Sequence, residues 1–169
     1  MFEVGEYIIF ATNGVCKVEA VGKLEMNNVS EEKLFYTLTP IYAPETKVFT
    51  PVDNDKVIMR PVLSREEAWA LINDIINIEA ISVADDKSRE EIFKEAIKKC
   101  DCRELVKIIK TLYLRKQARL RAGKKAASCD ERYFKMAEGN LYEELALALE
   151  IDKNEVESVI AQRVEALEA

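Results

Sequence analysis

Two spacings of hydrophobic residues divide the chain. Through the first 60 residues apolar side chains come in short runs at steps of two, separated by turn residues. That is strand spacing. Phe2, Val4, Tyr7, Ile8, Ile9 and Phe10 form the first run, with Gly5 marking a bend or bulge, and Thr12-Asn13-Gly14 is a turn signal. Residues 15–21 place Cys16, Val18 and Ala20 on one apolar face, residues 23–33 are polar and read as a loop or strand end, and residues 34–40 form another strand. A turn around Pro44, a short strand over residues 46–50 ended by Pro51, and a last one over residues 56–60 complete the set. Short strands in that density predict a small barrel, which binds through its rim or edge and not through a catalytic pocket.

After Pro61-Val62-Leu63 the spacing changes to three and four, the period of a helix. The first helix is expected over residues 65–76, with Ala68, Leu71, Ile72, Ile75 and Ile76 as its stripe. A connector over residues 79–86 precedes a second helix that runs to about Lys99 around Ile92, Phe93, Ala96 and Ile97. The third begins near Cys102, buries Leu105, Ile108, Ile109 and Leu112, carries Arg103, Lys107 and Lys110 on another face, and ends at Gly123. The fourth buries Tyr133, Phe134, Ala137, Leu141, Leu145 and Ala148, and the last runs over residues 153–167 on Val156, Val159, Ile160, Val164 and Leu167. Ser64 to Glu67 has capping-box spacing, and the spacing recurs at Ser88 to Glu91, Ser128 to Glu131 and Asp152 to Glu155. The expected class is α+β: a small β-barrel domain over residues 1–61, then an all-α domain over residues 62–169 with 64–77 as a candidate linking helix.

Charge sharpens this picture. The chain has a net charge of −6, but residues 87–136 hold 16 Lys/Arg against 7 Asp/Glu, a net of +9, which leaves −15 for the rest. Segregation of that size points to an anionic partner for one segment. Its centre is residues 103–149: an apolar helix turning basic, a Gly-Lys-Lys turn, then a helix that starts charged and turns apolar. Folded as a hairpin, these would gather Arg115, Lys116, Arg119, Arg121, Lys124 and Lys125 beside the turn, with Lys94 and Lys98 extending the surface from the second helix. Such a cluster suits phosphate backbones, where Coulomb attraction and counterion release give affinity with little sequence information.

Catalytic chemistry has little to stand on. There is no histidine, no P-loop, no dinucleotide-binding glycine motif and no nucleophile elbow. The carboxylate pairs Glu143-Glu144 and Asp85-Asp86 read as solvated. Cys16, Cys100, Cys102 and Cys129 lack the spacing of a zinc or disulfide framework and read as reduced, mostly buried thiols. No enzyme activity, metal or cofactor is expected. No apolar run is long enough to span a bilayer and the first ten residues lack the marks of a signal peptide, so a cytoplasmic protein with no membrane contact is expected.

Two regions resemble the CarD-like (CdnL) bacterial transcription regulators. One is Phe2-x-Val4-Gly5-Glu6-x-Ile8-Ile9-Phe10 with Asn13-Gly14 and residues 48–54; the other is residues 109–116 with Asp130-Glu131-Arg132-Tyr133-Phe134 and the run on to Leu149. The resemblance implies a Tudor-like (SH3-like) barrel, of the type shared with the transcription-repair coupling factor, that docks on the RNA polymerase β subunit by a strand edge. The matching residues are Thr46, Lys47, Val48 and Phe49, with Lys47 and Phe49 as side-chain contacts and Val48 contributing backbone. It further implies a helical domain that contacts promoter DNA at the upstream edge of the transcription bubble, altering open-complex stability. A monomer is expected. The family's wedge tryptophan is missing: Ser82, Val83 and Arg89 stand in its neighbourhood, Arg89 counts among the candidate DNA contacts, and the only tryptophan, Trp69, lies on the preceding helix as a packing or domain-contact residue. Two rival functions remain open: an adaptor whose basic helices bind an acidic protein, and a thiol sensor using Cys100 and Cys102.

Overall fold

The strand spacing of the first residues becomes one antiparallel sheet in the computed structural model, which describes residues 1–11, 13–25, 32–82 and 86–169. Thr12 of the expected turn, residues 26–31 of the polar loop, and Val83, Ala84 and Asp85 lie outside the described residues. The strands are β1 (Tyr7–Phe10), β2 (Gly14–Lys23), β3 (Leu34–Pro40), β4 (Val48–Pro51) and β5 (Met59–Pro61), in the order β4-β3-β2-β1-β5. Ile8, Phe10, Cys16, Val18, Tyr36 and Leu38 form the buried core of this unit. The first strand is shorter than its hydrophobic run, because Gly5 turns the chain at a φ of 91°. A bulge between Val18 and Ala20 corrects the expected face of β2. The extra residue, Glu19, shifts the alternation by one, so Ala20 faces out and Val21 packs on the core instead.

The helical period becomes α1 (Arg65–Asp74) with a 3₁₀ turn at Ile75–Asn77, α2 (Asp86–Lys98), α3 (Cys102–Arg121), α4 (Ser128–Leu149) and α5 (Lys153–Glu168). The chain divides into two compact units, Met1–Val62 and Leu63–Ala169, and the fold is α+β. Ala68, Leu71 and Ile72 of α1 belong to the same buried core as Phe93, Leu105, Ile108, Leu112, Tyr133 and Leu145, with Trp69 half-buried against it. The 3₁₀ turn rotates Ile76 out of its expected stripe, and it is exposed.

The capping box of Ser64 and Glu67 forms, with reciprocal bonds of 3.1 and 2.7 Å. Helix α2 begins two residues before Ser88, and α4 begins at Ser128 with Ala127 as its N-cap. Asp152 does cap α5 by position but its side chain makes no capping bond. Helix α3 has an N-cap of its own, Asp101, which accepts from Arg103 N–H. At the other end of α3, Gly123 adopts a φ of 74°, and the N–H groups of Gly123 and Lys124 reach the carbonyls of Leu120 and Arg119 at 3.1 and 2.8 Å. This is a Schellman ending. It stops the helix and sends Lys124 and Lys125 into the turn that leads to α4. Cys16, Cys100, Cys102 and Cys129 are free.

Candidate functional site

The first surface is an edge. Among the described residues strand β4 pairs with β3 alone, through Leu38↔Val48, Thr37↔Phe49, Tyr36↔Thr50 and Phe35↔Pro51. Its other side therefore offers backbone groups outside the ladder, ready for an added strand. Side chains alternate along it: Thr50 is buried and Val48 half-buried on the core side, while Phe49 is 52% exposed on the outer side. Lys47 stands two residues before Phe49, exposed, and its Nζ donates to Thr39 Oγ1 at 2.8 Å. Thr46 is exposed at the end of the preceding turn, its N–H bonded to Ala43 O. Of the four residues expected at this edge, three point away from the core and Val48 points into it.

The second surface lies at one end of the helical unit, and here the structure sorts the basic block. The first half of α3 spends its cations on neighbouring groups. Arg103 pairs with Asp74 at 2.5 Å, Lys107 with Glu104 at 3.2 Å, and Lys110 donates to the carbonyls of Ile75 and Ile78. Those carbonyls belong to the end of α1, where a cation offsets the negative pole of the helix. Arg89 and Arg115, both expected on the nucleic-acid surface, pair with Asp130 at 3.2 and 3.1 Å. The Arg89 side chain is only 12% exposed. Little of it is left for a phosphate.

The second half of α3 and the turn differ. Lys116, Arg121, Lys124 and Lys125 are exposed, and among the described residues they make no ion pair. Arg119 sits beside them, its Nε donating to Lys125 O at 2.8 Å. Lys94 and Lys98 of α2 are exposed and paired within their own helix, to Glu90 at 3.4 Å and Glu95 at 3.7 Å. Exposed pairs of that kind are worth about 0.3–0.5 kcal/mol, so an incoming phosphate can displace them. Glu90 stays ionised, because the Tyr133 hydroxyl first and Lys94 second hold its carboxyl below the ordinary value. Tyr113, Leu114 and Leu120 of α3 are exposed among these cations.

A groove of about 460 Å³ runs between α3 and α4, and its lining mixes both signs of charge. Lys116, Arg119 and Lys135 line it together with Asp130, Glu131 and Glu138 of α4 and Glu157 of α5. Burial first, then the neighbouring Glu157, raises the carboxyl of Glu138 above its ordinary 4.5. Burial and the same two glutamates push Tyr142 up to about 12, so it stays neutral. A raised carboxyl binds protons more tightly in the folded state than in the unfolded one, so ionising Glu138 works against the fold as pH rises above 4.5. Glu138→Gln is therefore expected to raise the melting temperature slightly at pH 7, and the gain should vanish below pH 4.5, which melting curves across that window would check.

Glu144 overturns one expectation. It was expected to be solvated and is 1% exposed, accepting from Leu63 N–H at 2.9 Å and from the Cys102 thiol at 3.1 Å. Ser82 is exposed at the position where a wedge would stand, Val83 lies outside the described residues, and Arg89 is held by Asp130. Among the described residues no cluster of His, Cys, Asp and Glu could hold a metal ion, and no helix is long and apolar enough to cross a membrane.

Comparison with known families finds a match for each unit. Residues 2–63 match the family model described as CarD-like/TRCF RID domain, and residues 77–161 match the one described as CarD, C-terminal domain. Helix α1 falls between the two matches, although its apolar face lies in the helical core. No curated protein sequence matches the chain.

Proposed function

Because the chain belongs to the CarD-like family of RNA-polymerase-interacting transcription regulators, we propose that it docks on the polymerase β subunit through the β4 edge and grips promoter DNA with the turn end of its helical unit. The grip is independent of sequence, and its consequence is a change in the lifetime of the open complex. The observation that carries the DNA half is the set of exposed cations, Lys116, Arg121, Lys124 and Lys125, left unpaired where every cation of the first half of α3 is used internally. Ending a helix in cations also offsets its own dipole, but that needs one or two and is worth only about 0.3–1 kcal/mol each.

The test is binding of the full-length protein to forked promoter DNA, with and without RNA polymerase, across a salt series. The four unpaired cations alone predict a log–log slope of about −3.6, and phosphate contacts by Lys94 and Lys98 would steepen it to about −5.4. A second reading has its own support: Leu114 and Leu120 are exposed among the cations, as a protein-binding surface would have them. Under that reading the helices hold an acidic protein, and no DNA affinity appears even at low salt. The polymerase half has a separate test. Phe49→Ala removes the one large side chain offered by the edge, and should weaken polymerase binding by roughly 30-fold, the scale of an interface hot spot, in a direct titration. Unchanged affinity would move the docking site elsewhere on the β-unit.

A further inference from the structure

Asp130 lies in the first turn of α4 with its side chain 8% exposed, and both carboxylate oxygens face guanidiniums from other helices. Arg89 Nε of α2 is 3.2 Å from Oδ1, and Arg115 Nε of α3 is 3.1 Å from Oδ2. One turn on, Glu90 of α2 accepts from the Tyr133 hydroxyl at 3.0 Å and from Arg132 at 3.3 Å. Phe93 anchors the middle of α2 in the core, against Tyr133 at a ring distance of 5.9 Å. Apolar packing alone would hold α2 to the hairpin. The buried ion pair of Arg89 and Asp130 adds direction, since desolvated charges tolerate little separation, while the half-exposed Glu90 beside it adds its bond from Tyr133. It therefore fixes the rotation of α2, and with it the place of every side chain on the exposed face of that helix.

We propose that Asp130 is the positioning residue of the DNA-binding surface: by holding Arg89 and Arg115 it locks α2 to the α3–α4 hairpin, so that Lys94 and Lys98 meet the phosphate backbone together with Lys124 and Lys125. This rests on the DNA-binding reading above. It also gives Arg89 and Arg115 a role other than direct contact. They organise the cations that bind.

The test is the salt dependence of binding to forked promoter DNA by the full-length chain, as wild type, Asp130→Asn and Arg89→Gln, with thermal unfolding of each. Partial unfolding lowers the active fraction but leaves the log–log slope alone, so the slope separates positioning from stability. Losing the two α2 lysines as contacts should make the Asp130→Asn slope shallower by about 1.8 and lower affinity by about 100-fold at low salt. If Asp130 only neutralises its two arginines, their release should leave the slope unchanged or make it steeper, and the proposal falls. Arg89→Gln carries the test if Asp130→Asn does not fold. Positioning predicts a loss of slope well beyond the roughly 0.9 of a single contact, and a loss of 0.9 or less means that Arg89 touches DNA itself or does nothing. Wild-type protein without DNA affinity at low salt would overturn the DNA-binding reading and this proposal together. A binding wild type with unaltered variants would overturn this proposal alone.

Discussion

Exchanging Lys124 and Lys125 for glutamate should lower affinity for forked promoter DNA by about 100-fold at low salt and make the salt slope shallower by about 1.8, with polymerase binding unchanged. Both lysines are exposed in a turn whose geometry is set by the backbone, through Gly123 and the carbonyls of Arg119 and Leu120. The exchange therefore removes charge without touching the core. Reversal also places two carboxylates beside the first turn of α4, which already holds Asp130 and Glu131. The turn end of the hairpin should then repel phosphate. Equilibrium binding at several salt concentrations, with the polymerase titrated separately, measures both halves. A variant that binds DNA as the wild type does would remove the hairpin turn from the interface. A variant that loses polymerase as well would mean that the two activities share a surface.

The double variant is a sharper probe than neutralising the whole basic block, because the block is not uniform. Arg103 and Lys110 close the end of α1, Lys107 pairs with Glu104 of its own helix, and Arg89 and Arg115 surround Asp130. Removing those residues would disturb packing and binding together. Sequence could see the block but not this division. The i, i+4, i+7 spacing of Arg103, Lys107 and Lys110 places them on one face, yet which partners wait there depends on how α1 ends, and its 3₁₀ turn leaves no sequence signal. The fold class, the order of elements and the core stripes followed from hydrophobic spacing, because spacing is a local property. What spacing missed came from single-residue events. Glu19 bulges out of β2 and exchanges Ala20 for Val21 on the core face. Three of the four capping-box patterns fell inside or beside a helix that starts elsewhere or is capped by backbone alone. At the β4 edge the alternation of Val48 and Phe49 is legible from β-strand geometry, but that β4 lies at the end of the sheet depends on topology.

Glu144 is the residue whose loss should cost the helical unit most. It occupies α4 between Leu141 and Leu145, both buried, so the core stripe carries it inward. A carboxylate in that position needs donors, and two helix starts supply them: Leu63 N–H ahead of the α1 cap, and the thiol of Cys102, the first residue of α3. The positive poles of both helices favour the negative charge. Glu144→Ala leaves these donors facing a cavity, and unsatisfied buried groups together with lost packing should destabilise by about 2–4 kcal/mol. Glu144→Gln keeps the shape and one accepting oxygen but turns an N–H₂ toward one of the two donors, and should cost about 1–2 kcal/mol. Denaturant unfolding followed by far-UV circular dichroism would show both as lower midpoints with an unchanged slope, since the surface exposed on unfolding is the same. If alanine and glutamine cost the same, the carboxylate's charge and not its packing makes the tie. If neither costs more than about 0.5 kcal/mol, the typical surface value, the junction of α1, α3 and α4 is held by apolar contact and Glu144 is merely tolerated there.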